Sequence, residues 1–432
     1  MTVNSSRIPL EIVEFVIDVL NADDEIDAIK ACSQTCKALL PRCRTHIFFR
    51  IDLDPRLNSR HISPNRDSDD ARPRRMTQFL DLLDQTPDIA FYVQDLDLYI
   101  YLEDSDCPRT IRALNMLSNL TAFSLRHDLS GLGDFNSLNW DDLCPNFISC
   151  IHRIISSPKL AQLEFASFTN FPLSTFSWCG GGIEELSLWS VELSTNGSAF
   201  PVMTPIRLRA LSCDEAGMIL VGQTLLIKAE YPIMDLTRVH RFIASLHEAG
   251  GNICMREILS SSEALTEVHL HGTFSSPFVK KYTVKMIDAG TTSHTYQGVG
   301  QSIASRSLNT LQTFQLSIFT SSLNHNIIPE ICTELKVLAA APNLQHVAIY
   351  LSLDLFYRFP AGVLLALDKL LTESGFRRLN SVGFHLNGSA SLELADAHEF
   401  KEAMEQVILE EFISLSQSGV RTLDTSVTLQ TF

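Results

Sequence analysis

FISCIHRIISSPKLAQLEF, residues 147–165, carries the pattern that decides the fold. Phe147, Ile151, Ile154 and Ile155 recur at helical spacing and lay one apolar stripe along a helix. Ser156-Ser157-Pro158 stops it, since proline cannot continue the hydrogen-bond ladder. Leu160-x-x-Leu163-x-Phe165 then follows. Its last two apolar positions alternate like a strand with one buried face, and Leu160 sits in the turn leading in. The same plan returns downstream. Ile331, Leu335 and Leu338 lead through Ala341-Pro342 to Leu344. Val363, Leu364, Leu367 and Leu371 lead through Gly375 to Leu379, and Phe400, Met404, Val407, Ile408 and Leu415 lead through Gly419 to Val420.

The apolar-x-x-apolar-x-apolar template also appears as Val93/Leu96/Leu98, Leu120/Phe123/Leu125, Ile183/Leu186/Leu188 and Leu208/Leu211/Cys213. It resumes as Leu265/Val268/Leu270, Leu311/Phe314/Leu316, Leu344/Val347/Ile349 and Leu379/Val382/Phe384, with a degenerate copy at Val420/Leu423. Helix, stop, short turn and strand in repetition resembles a leucine-rich-repeat array. That resemblance implies an irregular α/β solenoid whose strands stack into a parallel sheet with helices outside. Copies fall from roughly 23 to more than 50 residues apart, against about 20–29 for such repeats, so long insertions such as His271 to Ser305 interrupt it. A doubly wound α/β domain remains the other arrangement compatible with these elements, and both predict right-handed crossovers. Phe274 to Gln301 is polar and Ser/Thr-rich and reads as an inserted loop or hairpin; Gly180-Gly181-Gly182 reads as a turn.

Ahead of the array lies RIPLEIVEFVIDVLNADDEIDAIKACSQTCKALLPRCRTHIFF, Arg7 to Phe49. Pro9 suits the first turn of a helix and Glu11 complements its positive end. Val13, Val16, Ile17 and Leu20 form one stripe. Asp24 with Asp27 opens a second helix bearing Ile29, Cys32, Cys36 and Leu39 on one face, and Pro41 ends it. A third helix, Arg42 to Arg50, contributes Ile47 and Phe48. Three helices in about 40 residues are too few to bury a full core unaided.

Ile8-Pro9-Leu10-Glu11-Ile12, followed by Ala31, Cys32, Ser33, Cys36, Pro41, Arg42, His46 and Phe48, resembles an F-box of the sort found in large fungal F-box-like families. Where many members carry an aromatic just before the proline, this chain has Ala38-Leu39-Leu40. The resemblance implies that these helices dock onto the Skp-type adaptor of a cullin–RING ubiquitin ligase through Pro9, Leu10, Ile12, Val16, Ile17, Cys32, Cys36 and Leu39. The alternative reading of the same residues is that they are the internal core of an N-terminal helical cap.

The expected organisation is therefore an F-box-like helical domain over 1–54, a flexible linker over 55–75 and the repeat-like α/β region over 76–432. Asn58 to Arg75, NSRHISPNRDSDDARPRR, is too polar to bury surface. A composition of 45% hydrophobic and 19% charged residues is that of a globular chain. The net charge of −16 repels phosphate backbones and argues against a nucleic-acid partner. Ten cysteines without even spacing point to a reducing compartment, and no apolar run approaches the roughly 20 residues that span a bilayer. Cytoplasm or nucleus is the expected location.

No cofactor or metal is expected. Cys32, Cys36, Cys43 and His46 lack a paired Cys-x-x-Cys, and His247-Glu248 and His398-Glu399 lack the second histidine of a zinc-protease helix. Gly298-Val299-Gly300 meets Ile303 where a dinucleotide loop needs glycine, and Gly300-Gln301-Ser302-Ile303-Ala304 only approximates a nucleophile elbow. The F-box resemblance therefore implies a non-catalytic adaptor, and exposed strand positions such as Glu164, Glu184, His269 and Gln315 are expected to meet its substrate protein. A repeat-based scaffold without ligase association and an α/β hydrolase are the alternatives.

Overall fold

The computed structural model describes residues 9–54, 72–127, 137–194, 205–226, 233–246, 251–273, 298–320, 327–353, 362–373, 375–390, 394–417 and 422–431. They fall into two compact units, Met1–Ile183 with Val191–Pro201, and Glu184–Ser190 with Val202–Phe432. Both are built from α/β elements around a parallel sheet.

The first unit opens with three helices, α1 (Leu10–Ala22), α2 (Ile26–Thr35) and α3 (Leu40–Ile47). There follow β1 (Arg50–Asp52), α4 (Arg72–Gln85), β2 (Asp95–Ile100), α5 (Leu102–Ser105), α6 (Pro108–Met116), β3 (Ala122–His127), β4 (Leu138–Asn139), α7 (Pro145–Ile155) and β5 (Gln162–Phe171). Strands β1, β2, β3 and β5 lie side by side in that order, all parallel, with β4 added to β5. Register follows the template, because Leu96, Phe123 and Leu163 are direct neighbours, as are Leu98, Leu125 and Phe165. All six are buried. The stripe of α7 is buried as its periodicity requires, at Phe147, Ile151, Ile154 and Ile155. Trp140 fills the end of this core, edge-on to Phe165, Phe168 and Phe171 at 5.9, 5.4 and 4.7 Å. The expected turn at Gly180–Gly182 has a packing reason for its last glycine. A Cβ on Gly182 would lie 2.5 Å from the Pro158 carbonyl oxygen.

The second unit begins with β6 (Glu185–Leu193), β7 (Ile206–Arg207), β8 (Ala210–Asp214), α8 (Glu215–Leu226), β9 (Met234–Asp235), β10 (Arg241–Leu246), α9 (Gly251–Ser261) and β11 (Glu267–Thr273). It continues through α10 (Val299–Ser302), α11 (Ser305–Thr310), β12 (Thr313–Thr320), α12 (Ile327–Leu338), β13 (His346–Leu353), α13 (Val363–Glu373), β14 (Ser381–Ala390), α14 (Leu394–Glu411), α15 (Ile413–Gln417) and β15 (Thr422–Thr431). Strands β6, β8 and β10 to β15 form a parallel sheet in chain order, while β7 and β9 pair separately. Within each unit the order runs without the reversal that defines a doubly wound sheet.

One hydrogen-bond device recurs at the strand entries. The Gln94 carbonyl accepts the N–H groups of both Thr121 and Ala122 at 2.7 and 3.0 Å. Arg209 does the same for His240 and Arg241 at 2.8 and 3.2 Å, and Gln312 for Gln345 and His346 at 2.8 and 3.0 Å. The backbone makes this contact, so the side chain there is free to differ.

A second device holds helix starts in the second unit. Glu334 of α12, 7% exposed, accepts from the N–H groups of Gly298 and Gly300 at 2.6 and 2.8 Å. Glu411 of α14 accepts from Gly362 and Leu364, both at 2.7 Å, and Asp368 of α13 from Ser414 and Leu415 at 3.0 and 2.8 Å. Each buried carboxylate thus satisfies donors that a helix start leaves orphaned.

Several boundaries differ from expectation. Cys36 is extended (φ −149°, ψ 130°), so α2 ends at Thr35, and Pro41 lies in the first turn of α3 instead of ending α2. Asp24 adopts φ 60° in the turn, and α2 has no side-chain cap. Helix α4 starts at Arg72, so the last four residues of the expected linker are helical because Pro73 is tolerated in a first helical turn. The remaining linker residues 55–71 lie outside the described residues, as do 274–297 of the expected insertion and the Gly419-Val420 turn. Gly298 to Gln301, expected within the loop, instead enter the short helix α10.

Glu334→Ala is expected to destabilise the chain by about 1–3 kcal/mol, because two amides lose their acceptor. Denaturant or thermal unfolding measures it, with the exposed Glu410→Ala as control, expected to shift stability by no more than about 0.5 kcal/mol.

Candidate protein-docking site

Helices α1–α3 enclose a small core of Ile17, Ile29, Leu39 and Cys43, with Val13, Leu20, Ile26, Cys32 and Ile47 packed around it. Helical period turns Val13, Ile17 and Leu20 of α1 toward this core. The opposite side is not polar. Leu10, Ile12, Phe15, Val16 and Val19 are 44, 53, 66, 48 and 41% exposed. A helix apolar on both sides is ordinarily covered on both, and exposed apolar patches of this kind mark contact sites.

The residues expected to meet an adaptor separate accordingly. Pro9, Leu10, Ile12, Val16 and Cys36 are exposed and Cys32 is half-buried. Ile17 and Leu39, 0 and 8% exposed, are corrected to core positions, because three short helices have few other side chains with which to close on one another. Phe15 and Val19 were missing from the expected set. Their signal is a second stripe, Ile12, Phe15, Val16 and Val19, at i, i+3, i+4, i+7 spacing, which takes Val16 from the expected stripe and leaves Val13, Ile17 and Leu20 facing inward.

Asp18 ties α1 to α3. Arg42 donates through Nε and Nη2 to its two carboxylate oxygens at 2.7 and 2.5 Å, and His46 Nε2 lies 2.8 Å from Oδ1. The Arg42 guanidinium first, and His46 second, hold the Asp18 carboxyl down to about 2. His46 is therefore engaged with a carboxylate, and Cys43 is sealed in the core, where burial pushes its thiol up. Among the described residues no group of three or more His, Cys, Asp or Glu side chains could hold a metal ion.

Of the expected substrate-facing residues, Glu164 lies in the first unit and Glu184, His269 and Gln315 in the second. Glu164, on β5 of the first unit, is half-buried and paired with Arg126 at 2.7 Å. Arg126 also reaches Ser124 Oγ at 2.8 Å and Tyr99 Oη at 2.9 Å. Burial raises the Glu164 carboxyl against the opposing pull of Arg126. Glu184 lies in the turn before β6, ion-paired with Arg209 at 3.2 Å. His269 and Gln315 are brought together, as direct neighbours on β11 and β12. They occupy the sheet face opposite buried Val268 and Leu270. Burial lowers the His269 imidazole, whose Nε2 lies 4.0 Å from Glu267 and has no hydrogen-bond partner among the described residues.

Further along that face Tyr350 stacks on His385 at 4.3 Å, and His385 Nδ1 meets Ser426 Oγ at 2.8 Å. Strand alternation was the available signal for these. Ser302, the candidate nucleophile, donates its hydroxyl to the Gly298 carbonyl at 2.7 Å. It lines a groove of about 540 Å³ with Ile253, Arg256, Glu257, Ser260, Gln301, Ile303, Ala304 and Ser305, and no imidazole is among these. Among the described residues no helix is long and apolar enough to cross a membrane.

The Asp18 contacts have a pH signature. A carboxyl held below its ordinary value stabilises the fold above that value, near 3.8, and the contribution is lost as pH falls through about 2. Hydrogen exchange is expected to show α1 and α3 losing protection between about pH 4 and 2, with Arg42→Ala less protected at neutral pH and flatter across that window. No known family model matches the chain, and no curated protein matches it.

Proposed function

We propose that this chain is the substrate-recognition adaptor of an SCF-type cullin–RING ubiquitin ligase. In this reading α1–α3 are an F-box-like module that binds a Skp-type adaptor, and the remainder is an irregular leucine-rich-repeat-like solenoid that presents its open sheet face to a substrate protein. The observation that carries the reading is the second apolar stripe of α1, which stays exposed after the three helices have closed their own core. The chain-order parallel strands support the repeat reading, since stacked units place each strand beside its sequence neighbour. The adaptor does no chemistry itself. It raises the effective concentration of substrate lysines near a carrier enzyme held elsewhere on the ligase.

Ile17 and Leu39, which the F-box resemblance assigned to docking, are used internally, and Ala38-Leu39-Leu40 offers no large aromatic. These two observations favour the second reading, a repeat-based interaction scaffold in which α1–α3 cap the first unit.

Co-purification with the Skp-type adaptor separates the two. Ile12→Asp with Phe15→Asp alters only exposed side chains and is expected to cut capture at least tenfold, the loss typical of an apolar hot spot, while thermal unfolding of the full chain stays unchanged. Capture that survives both charges, or wild-type chain that is never captured, removes the ligase reading.

A further inference from the structure

The groove beside Ser302 lies wholly within the second unit, between α9 (Gly251–Ser261) and the segment from Gln301 to Ser305. Its volume of about 540 Å³ falls in the range of roughly 300–1,000 Å³ that small-molecule sites occupy. One face of α9 forms a wall of it. Ile253, Arg256, Glu257 and Ser260 recur at i, i+3, i+4 and i+7, while Met255, Ile258 and Leu259, all fully buried, hold the opposite side of the helix on the core. Ile253 is 66% exposed, and Ile303 and Ala304 supply apolar surface on the other wall.

Two opposite charges stand in this groove without partners. Glu257 Oε2 is shielded from solvent and accepts no hydrogen bond among the described residues, and an orphaned carboxylate oxygen is costly enough that native structures keep few of them. Arg256 makes no ion pair among the described residues. Its guanidinium is laid against Gly298, where φ is 78° and a Cβ would overlap Nη2, so glycine there leaves the cation its place. Successive residues of a helix project about 100° apart, which keeps Arg256 and Glu257 from closing on each other.

The neighbouring groups are already engaged. Arg306 pairs with Glu263, Glu334 takes the N–H groups of Gly298 and Gly300, and the Ser302 hydroxyl donates to the Gly298 carbonyl. An anion alone would be repelled by Glu257 and a cation alone by Arg256. A ligand that carries both charges around an apolar body satisfies each group and covers Ile253.

We propose that this groove binds a small aliphatic zwitterion, an α-amino acid or a short peptide with free ends. Its carboxylate meets Arg256, its ammonium meets the Glu257 carboxylate and its alkyl side chain lies against Ile253 and Ile303. The terminal torsion of a glutamate is soft, so the ammonium can draw the sheltered oxygen toward the groove. The site is independent of the ligase reading, because it uses no residue of α1–α3 or of the open sheet face.

Calorimetry or ligand-observed NMR on the full chain tests it with L-leucine and leucyl-leucine, each beside its N-acetyl and its C-terminal amide derivative. The wild-type chain is expected to bind at least one free-ended probe, and each capped derivative at least about tenfold more weakly, the loss of one charge-assisted contact. Glu257→Gln is expected to weaken the free-ended probe by a similar factor while leaving the N-acetyl derivative unharmed, since that derivative has no ammonium to lose. Arg256→Met is expected to do the same with respect to the amide. Binding of leucine assigns the site to amino acids, and binding of leucyl-leucine alone assigns it to peptide ends. Absence of binding by either probe at about 10 mM overturns the proposal. So do capped derivatives that bind the wild-type chain as well as their parents, and variants that leave the free-ended probe unchanged or weaken every probe equally.

Discussion

The structure depends on a backbone contact that side chains do not make. At the strand entries one carbonyl takes two successive N–H groups from the following segment, as at Gln94, Arg209 and Gln312. Parallel neighbours have no tight hairpin to set their register, and a slip by one residue would turn every apolar side chain to the wrong face. Anchoring both amides at the start of a strand removes that freedom. The buried rows, Leu96–Phe123–Leu163 in the first unit and Val268–Phe314–Val347–Val382 in the second, follow from it.

With register fixed at the strand entry, the connecting segments are free to vary. They differ widely in length, and the helices they carry range from the four residues of α10 to the eighteen of α14. What keeps such unequal helices in place is carried by Glu334, Asp368 and Glu411, buried carboxylates that reach from one helix to the start of another. Burying three carboxylates is tolerable because each receives two backbone hydrogen bonds, at a helix start whose dipole favours negative charge.

The N-terminal helices obey a different economy. Their four-residue core is barely sufficient to hold them, and the bidentate Asp18–Arg42 contact supplies an anchor between α1 and α3. Because Ile17 and Leu39 are consumed inside, the apolar side chains that α1 leaves exposed are Leu10, Ile12, Phe15, Val16 and Val19. A helix with two greasy faces in a three-helix module has one face more than its own fold can use. The exposed stripe is therefore a property of size as much as of sequence.

The sequence alone determined the elements and their period. Apolar spacing identified α7 and the strands at Leu163, Val268 and Val347 within a residue or two, because spacing is what burial on one side selects. The parallel sheet followed from helices recurring between strands. Element ends were less accessible. Pro41 reads the same whether it closes α2 or opens α3, and only the extended backbone at Cys36 distinguishes the two. The exposed stripe was half visible, since Val16 and Ile17 differ by about 100° around α1 and nothing in one helix says which direction holds its neighbours. Tertiary structure alone decided which stripe closed against α2 and α3. It also decided that His269 would stand beside Gln315 while Glu164 turned to Arg126, because those neighbours come from chain segments tens of residues away that no local pattern can register.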